Sequence, residues 1–165
     1  MNTPIQIQVR KPDFFIRRYE FCIDEKIVAV LEYEKSFGRR AVAIIDNKKW
    51  VFNRVGFWKP YLEITAEQSP YTKTRLDYNW KFKTQFRADS GRNYFLTQTS
   101  FFKSTWTWFD ENNTPVIEIK SKQLSRSSRG IIVLHQPENK EHYLMMLIGW
   151  GQIVKSEDNA AAAAG

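Results

Sequence analysis

The chain has one cysteine, two histidines, six prolines and seven glycines in 165 residues, and each scarcity removes a class of protein. A single thiol, Cys22, forms no internal disulfide, so the fold has to be held by its core. Pro and Gly are too few for a collagen-like or low-complexity chain. No apolar run approaches the roughly 20 residues of a membrane-spanning helix. Residues 1–11 lack the apolar stretch of a secretory signal, and the expectation is a cytoplasmic protein without a transmembrane span. Motifs of common chemistry are also missing: there is no glycine-rich phosphate loop, no G-x-S-x-G elbow, no H-E-x-x-H and no cysteine pair at zinc spacing. His135 and His142 would need Glu138 or Glu141 to complete a metal set and read better as surface or capping histidines. Cys22 alternates with Glu20 and Asp24, with no cation placed beside it, and reads as an inert thiol. No catalytic residue, metal site or cofactor is expected, and the chain reads as a non-enzyme.

What is present is apolar and aromatic. Hydrophobic residues make up 42% of the chain and aromatic ones 15%, with 6 Trp, 7 Tyr and 12 Phe, which suits strands better than a helical bundle. That content fills one core and excludes disorder for most of the chain, whereas two domains of this total length would each be marginal.

The recurring pattern is period-two alternation in short runs bounded by turn residues. In residues 80–87, Trp80, Phe82, Thr84 and Phe86 fall on one face, while Lys81, Lys83, Gln85 and Arg87 fall on the other. Similar runs cover 14–23, 26–33, 40–45, 49–55, 61–65, 92–99, 104–109, 116–120 and 130–134. That gives about ten strands, rising to twelve with the chain ends. Asp24-Glu25, Asp46-Asn47, Ser90-Gly91 and the run Asp110 to Asn113 supply turn chemistry, so the strands form an antiparallel meander.

One segment, 139–154, predicts a helix. Asn139 can cap it and Glu141 lies in its first turn, after which Tyr143 through Ile148, Trp150, Ile153 and Val154 leave no polar face before Gln152. A helix apolar on every side belongs inside a protein. Gly149 and Gly151, costly in an exposed helix, fit where neighbouring groups come very close. Three domain segments follow: residues 1–13 as an extension or first strand, 14–154 as a single β-barrel domain, and 155–165 as an Ala-rich tail, either flexible or a helical extension.

The W-x-F ribbons at Trp50-Val51-Phe52 and Trp80-Lys81-Phe82, the unit Trp108-Phe109-Asp110 before Val116 to Ile119, and the apolar C-terminal helix together resemble the Tubby C-terminal-like superfamily, which includes LURP-one-related proteins and phospholipid scramblases. The resemblance covers roughly residues 14–154. It implies a mainly β fold, a closed antiparallel barrel of about twelve strands around a central hydrophobic C-terminal helix. It also implies, by analogy with Tubby proteins, phosphoinositide or other anionic lipid binding; the cysteine-rich stretch of scramblases is missing, and no family site matches residue by residue. A helix in the lumen leaves little room for an internal ligand, so function is expected on outer faces or rims.

The net charge of +7 is uneven along the chain. Residues 73–103 hold Lys73, Arg75, Lys81, Lys83, Arg87, Arg92 and Lys103 against two carboxylates, and residues 120–130 hold Lys120, Lys122, Arg126 and Arg129 against none. The leading expectation is a noncatalytic module docking on anionic lipid head groups or another phosphate-bearing surface through Lys81, Lys83, Arg87, Lys120, Lys122, Arg126 and Arg129. The alternative is a structural or protein-interaction domain whose partner meets Phe57, Trp58 and Tyr61 around Pro60. Single-stranded nucleic acid is disfavoured, because in 80–87 the rings and the charges take opposite faces.

Overall fold

The computed structural model describes residues 3–35, 38–77, 84–100, 102–122 and 127–165, with the backbone alone for 70–73. Twelve strands precede one helix: β1 (Ile5–Arg10), β2 (Arg18–Ile23), β3 (Lys26–Tyr33), β4 (Arg40–Ile45), β5 (Lys48–Val55), β6 (Tyr61–Ala66), β7 (Ser69–Asp77), β8 (Thr84–Arg87), β9 (Asn93–Ser100), β10 (Thr105–Phe109), β11 (Pro115–Ser121), β12 (Ser128–Leu134) and α1 (Lys140–Ala164). All pairings are antiparallel, in the order β7-β6-β5-β4-β3-β2-β1-β12-β11-β10-β9-β8. The chain is thus a meander whose first and last strands pair, Ile5 opposite Leu134 and Val9 opposite Gly130. The edges β7 and β8 lie side by side and leave one seam in an otherwise closed barrel.

The turns follow their residues. Asp24, Glu25, Asp46 and Asn47 all have positive φ, between 45° and 67°, which gives two-residue hairpins whose twist matches that of the strands. Gly91 at φ 87° serves the β8–β9 connection. At the chain ends the open alternatives resolve to structure: residues 5–10 are a first strand inside the sheet, and 155–164 continue the helix. The β2 strand begins at Arg18 instead of residue 14, because the Asp13 carboxylate accepts the N–H groups of Phe15 at 2.7 Å and Ile16 at 3.1 Å, taking donors a ladder would need. The helix runs on past Val154 to Ala164, where Asp158 pairs with Arg17 at 2.5 and 2.9 Å and Glu157 accepts from the Ser121 hydroxyl at 3.0 Å.

The helix fills the lumen. Asn139 caps it, its side chain accepting from the His142 N–H at 2.8 Å, and His142 through Trp150 are buried on every side. Trp150 meets Tyr19 and Phe21 of β2 edge to face at 5.6 and 6.2 Å. Four strands around the barrel, on β10, the Trp108 indole N–H donates to the Met145 carbonyl at 2.9 Å. That approach needs a glycine one turn on: a Cβ on Gly149 would lie 2.4 Å from Ile119 Cδ1 and 3.0 Å from Trp108 Nε1. Gly151 is looser, its Cβ position 3.5 Å from the Tyr33 hydroxyl, so the expected close approach holds for only one of the pair. Each large side chain buried here contributes about 1.5–3 kcal/mol, and the core runs unbroken from the strands into the helix. Among the described residues, no helix is long and apolar enough to cross a membrane.

Candidate functional site

Because the strands alternate in direction, alternate connections gather at opposite ends. The start rim, where α1 enters the barrel, collects the β2–β3, β4–β5, β6–β7, β8–β9 and β10–β11 turns together with residues 135–139. The exit rim, where α1 leaves, collects the others. The start-rim connections hold Asp24, Glu25, Asp46, Glu67, Asp89, Asp110, Glu111 and Glu138 against Arg92. The described exit-rim connections hold Lys11, Arg17, Lys35, Arg39, Lys59, Lys103 and Lys122 against Asp13 and Glu34. The described connections therefore carry opposite net charge at the two ends of the barrel, −7 at the start rim and +5 at the exit rim.

The exposed rings obey the same division. The large apolar side chains left exposed among the described residues are Phe14, Phe15, Ile16, Ile27, Phe57, Trp58 and Phe102, and all but Ile27 lie in exit-rim loops. Trp58 is 91% exposed, Phe15 88% and Phe102 98%, too much apolar area to be the lid of a core. Phe14 stands edge-on to Phe15 and Phe57 edge-on to Trp58, each pair at 88°. Cations stand just behind the rings: the Lys11 ammonium lies 5.6 Å from the Phe14 ring and donates to the Phe14 carbonyl at 3.1 Å, and Lys59 follows Trp58. Burial, then Arg129 and Arg17 nearby, hold the Lys11 ammonium below the usual lysine range.

Arg129 reaches this rim through a bulge. Val9 faces Gly130 and Arg10 faces Ser128, so Arg129 is the extra residue of β12, and a bulge re-aims such a side chain. Lys122 is exposed where β11 ends, its N–H bonded to the Arg129 carbonyl. Lys120 projects outward and pairs with Glu118 at 2.8 Å. Arg87 is exposed as expected, with Phe86 buried behind it, but it lies at the start-rim end of β8 opposite Asn93. Seven residues of β9 separate it from the exit rim, about 23 Å at strand rise. Arg87 and the start of the loop after β11 thus stand at opposite ends of the barrel, because β8 runs the other way. Lys81, Lys83 and Arg126 lie outside the described residues. Tyr61 is half-buried with the Arg75 guanidinium 3.9 Å over its ring, so the open ring cluster is Phe57 with Trp58.

No family model, curated protein or solved structure matches the chain. The Tubby-like resemblance therefore rests on the motifs quoted above.

Elsewhere the surface offers less. Among the described residues no three His, Cys, Asp or Glu side chains stand together as metal ligands. Cys22 is buried, and desolvation pushes its thiol above the ordinary cysteine value, the opposite of activation. At the start rim an open cleft of about 970 Å³ runs beside Asp24, Asp46 and Glu138, and a second of about 380 Å³ lies by Trp50 and Phe86 near the barrel seam. The signal for the exit rim was present in the sequence as two kinds of turn in strict alternation, but it becomes readable only once the strands are numbered.

Proposed function

We propose that the protein is a noncatalytic binding module that docks end-on upon an anionic lipid surface through the exit rim. The observation that carries this reading is the coincidence, on one rim, of Phe14, Phe15, Ile16, Phe57, Trp58 and Phe102 with Lys11, Lys59, Lys103, Lys122 and Arg129. Rings at loop tips with cations behind them match the layering of a bilayer surface, where apolar groups dip below the phosphates and ammonium groups stay level with them. Each cation near such a surface contributes about 1 kcal/mol, and an inserted ring adds up to about 1.5–3 kcal/mol. The carboxylates of the start rim orient the approach, since they are repelled by the surface that attracts the exit rim. The Tubby-like resemblance adds an analogy only.

Cosedimentation with phosphatidylserine-containing and pure phosphatidylcholine vesicles tests the proposal. Binding to the former alone, weakened by salt and lost in the double variant Phe57→Ser, Trp58→Ser, is expected. Equal pelleting with both vesicles, or pelleting untouched by salt and by the ring variant, would sink it. A second reading, a structural or protein-interaction domain meeting its partner at Phe57 and Trp58, is favoured by the same exposed pair. It replaces the first if the ring variant loses a protein partner while vesicles never bind. The edge-on ring pairs offer no parallel platform for stacked bases, which keeps single-stranded nucleic acid in third place.

A further inference from the structure

The cleft of about 970 Å³ at the start rim complements the exit rim in both charge and apolar surface. Strands β3 and β4 pair, Ala29 opposite Ile45, so the Asp24-Glu25 and Asp46-Asn47 turns stand side by side. Asp24 and Asp46 both line the cleft, and among the described residues neither has an ion-pair partner. Glu138 lines it where the chain turns into α1, its carboxylate accepting from the Tyr143 hydroxyl. Of the two cations on its walls, Lys140 stands over the Trp50 ring at 5.0 Å, and Lys26 is the other. Ile27, Val28 and Ile44 add aliphatic surface, and Ile27 is the exposed large apolar side chain that the exit rim does not account for.

Such a cleft fits a projecting tip that offers apolar groups and a cation together, and the loop between β5 and β6 is one. Gly56 opens it at φ 86°, where a Cβ would lie 3.0 Å from the Lys59 carbonyl oxygen, and Pro60 closes it. Between them Phe57 and Trp58 are held out edge to face at 5.5 Å, with Lys59 next in the chain and without an ion-pair partner among the described residues. A loop already fixed in its exposed form loses little freedom on binding. The charges select the orientation. At physiological salt the Debye length is about 8 Å, so two molecules meeting end to end feel the facing rims more than each other's net charge. Start against start and exit against exit bring like charges together, whereas start against exit brings −7 to +5.

We propose that the protein associates with itself head to tail: the Phe57-Trp58-Lys59 loop of one copy seats in the start-rim cleft of the next. The rings cover Ile27, Val28 and Ile44, and the Lys59 ammonium meets Asp24 and Asp46. The contact joins two different surfaces, so it repeats from copy to copy instead of closing on a two-fold axis. Covering two rings removes about 300–500 Å² of their surface from water, less than the roughly 800 Å² per partner of a stable complex, and the association is accordingly weak and reversible. This gives the protein-interaction reading a partner. It rests on the exposed ring pair and not on lipid binding, and a vesicle that holds the exit rim excludes the next copy.

Sedimentation velocity of the full chain without vesicles tests this. The mean sedimentation coefficient should rise over about a hundredfold range of concentration, pass the value of a dimer, and fall back with added salt. The ring variant Phe57→Ser, Trp58→Ser and the cleft variant Asp24→Asn, Ile27→Ser, Asp46→Asn should each associate at least about tenfold more weakly. Asn tolerates the positive φ of both turns, so the cleft variant keeps its hairpins. Mixed one to one, the two variants should associate at native strength and stop at dimers, because each supplies the one surface the other lacks. A native protein that stays monomeric throughout, a native dimer that grows no further, or mixed variants that sediment as the sum of the two alone would overturn the proposal. Vesicle binding by a protein that stays monomeric leaves lipid docking standing, and self-association without vesicle binding removes lipid docking alone.

Discussion

Two glycines two residues apart in the same buried helix should respond to alanine with opposite signs. In Gly149→Ala, the helix gains about 1 kcal/mol of backbone propensity. Against that, the new Cβ would stand 2.4 Å from Ile119 Cδ1 and 3.0 Å from Trp108 Nε1. The Ile119 tip can turn aside at the cost of overpacking, about 1–3 kcal/mol. The Trp108 ring can retreat only by lengthening its 2.9 Å bond to Met145, which leaves a buried N–H unpaired and costs about 1–3 kcal/mol more. The net expectation is a loss of about 2–3 kcal/mol. In Gly151→Ala the added carbon meets Tyr33 at an ordinary 3.5 Å, so propensity prevails and stability rises by about 0.5–1 kcal/mol. Urea unfolding of both variants under one condition measures the difference. Two stabilised variants would mean that the helix is not threaded against β10 and β11, and the barrel account would fail with them.

Other consequences can be measured separately. Lys122→Gln and Arg129→Gln should each weaken binding to anionic vesicles about fivefold, while Arg87→Gln, at the far rim, should leave it unchanged; equal effects at all three positions would refute the polarity between rims. Asn139→Ala removes the cap on the His142 N–H and should cost about 1 kcal/mol in urea unfolding, and no loss would argue against the helix start. Burial, above all, holds the His142 imidazole below the ordinary histidine range. The native state then prefers it neutral, so this contribution is fully present above the unfolded value near 6.5 and is lost as pH falls through the folded one. The urea midpoint should therefore drop between about pH 7.5 and about pH 5 by more in the native protein than in His142→Gln. A slope of the same size in both would remove His142 from the explanation.

Much of the architecture was legible because the strands are short, half-buried and bounded by residues that adopt positive φ. The hairpins at Asp24-Glu25 and Asp46-Asn47, the cap at Asn139 and the all-round apolar helix could each be read from local chemistry. The β7 strand could not, since it is an edge: Pro70 is its second residue, Arg75 and Asp77 are exposed, and few large apolar residues mark its inner face. The β2 boundary misled for a related reason. Phe14, Phe15 and Ile16 have strand composition, and only the Asp13 carboxylate turns that stretch into a loop. Those three residues are half of the exposed apolar side chains of the exit rim. Charge, in turn, was sorted by position along the chain, whereas the meander sorts it by the parity of the connection, placing Arg87 and Lys122 at opposite ends. Gly130 carries no local sequence signal of its role, although a Cβ there would strike the Lys120 carbonyl at 2.4 Å and the Trp150 ring at 2.9 Å.

Trp58, 91% exposed at the tip of the exit rim, reports directly on the proposed contact between that rim and lipid. Tryptophan emission recorded with phosphatidylserine-containing vesicles carrying brominated acyl chains should be quenched in the native protein, and the quenching should disappear in Trp58→Phe while the start-rim variant Arg87→Gln retains it. Emission indifferent to the brominated chains, or quenching that survives the loss of Trp58, would contradict the account.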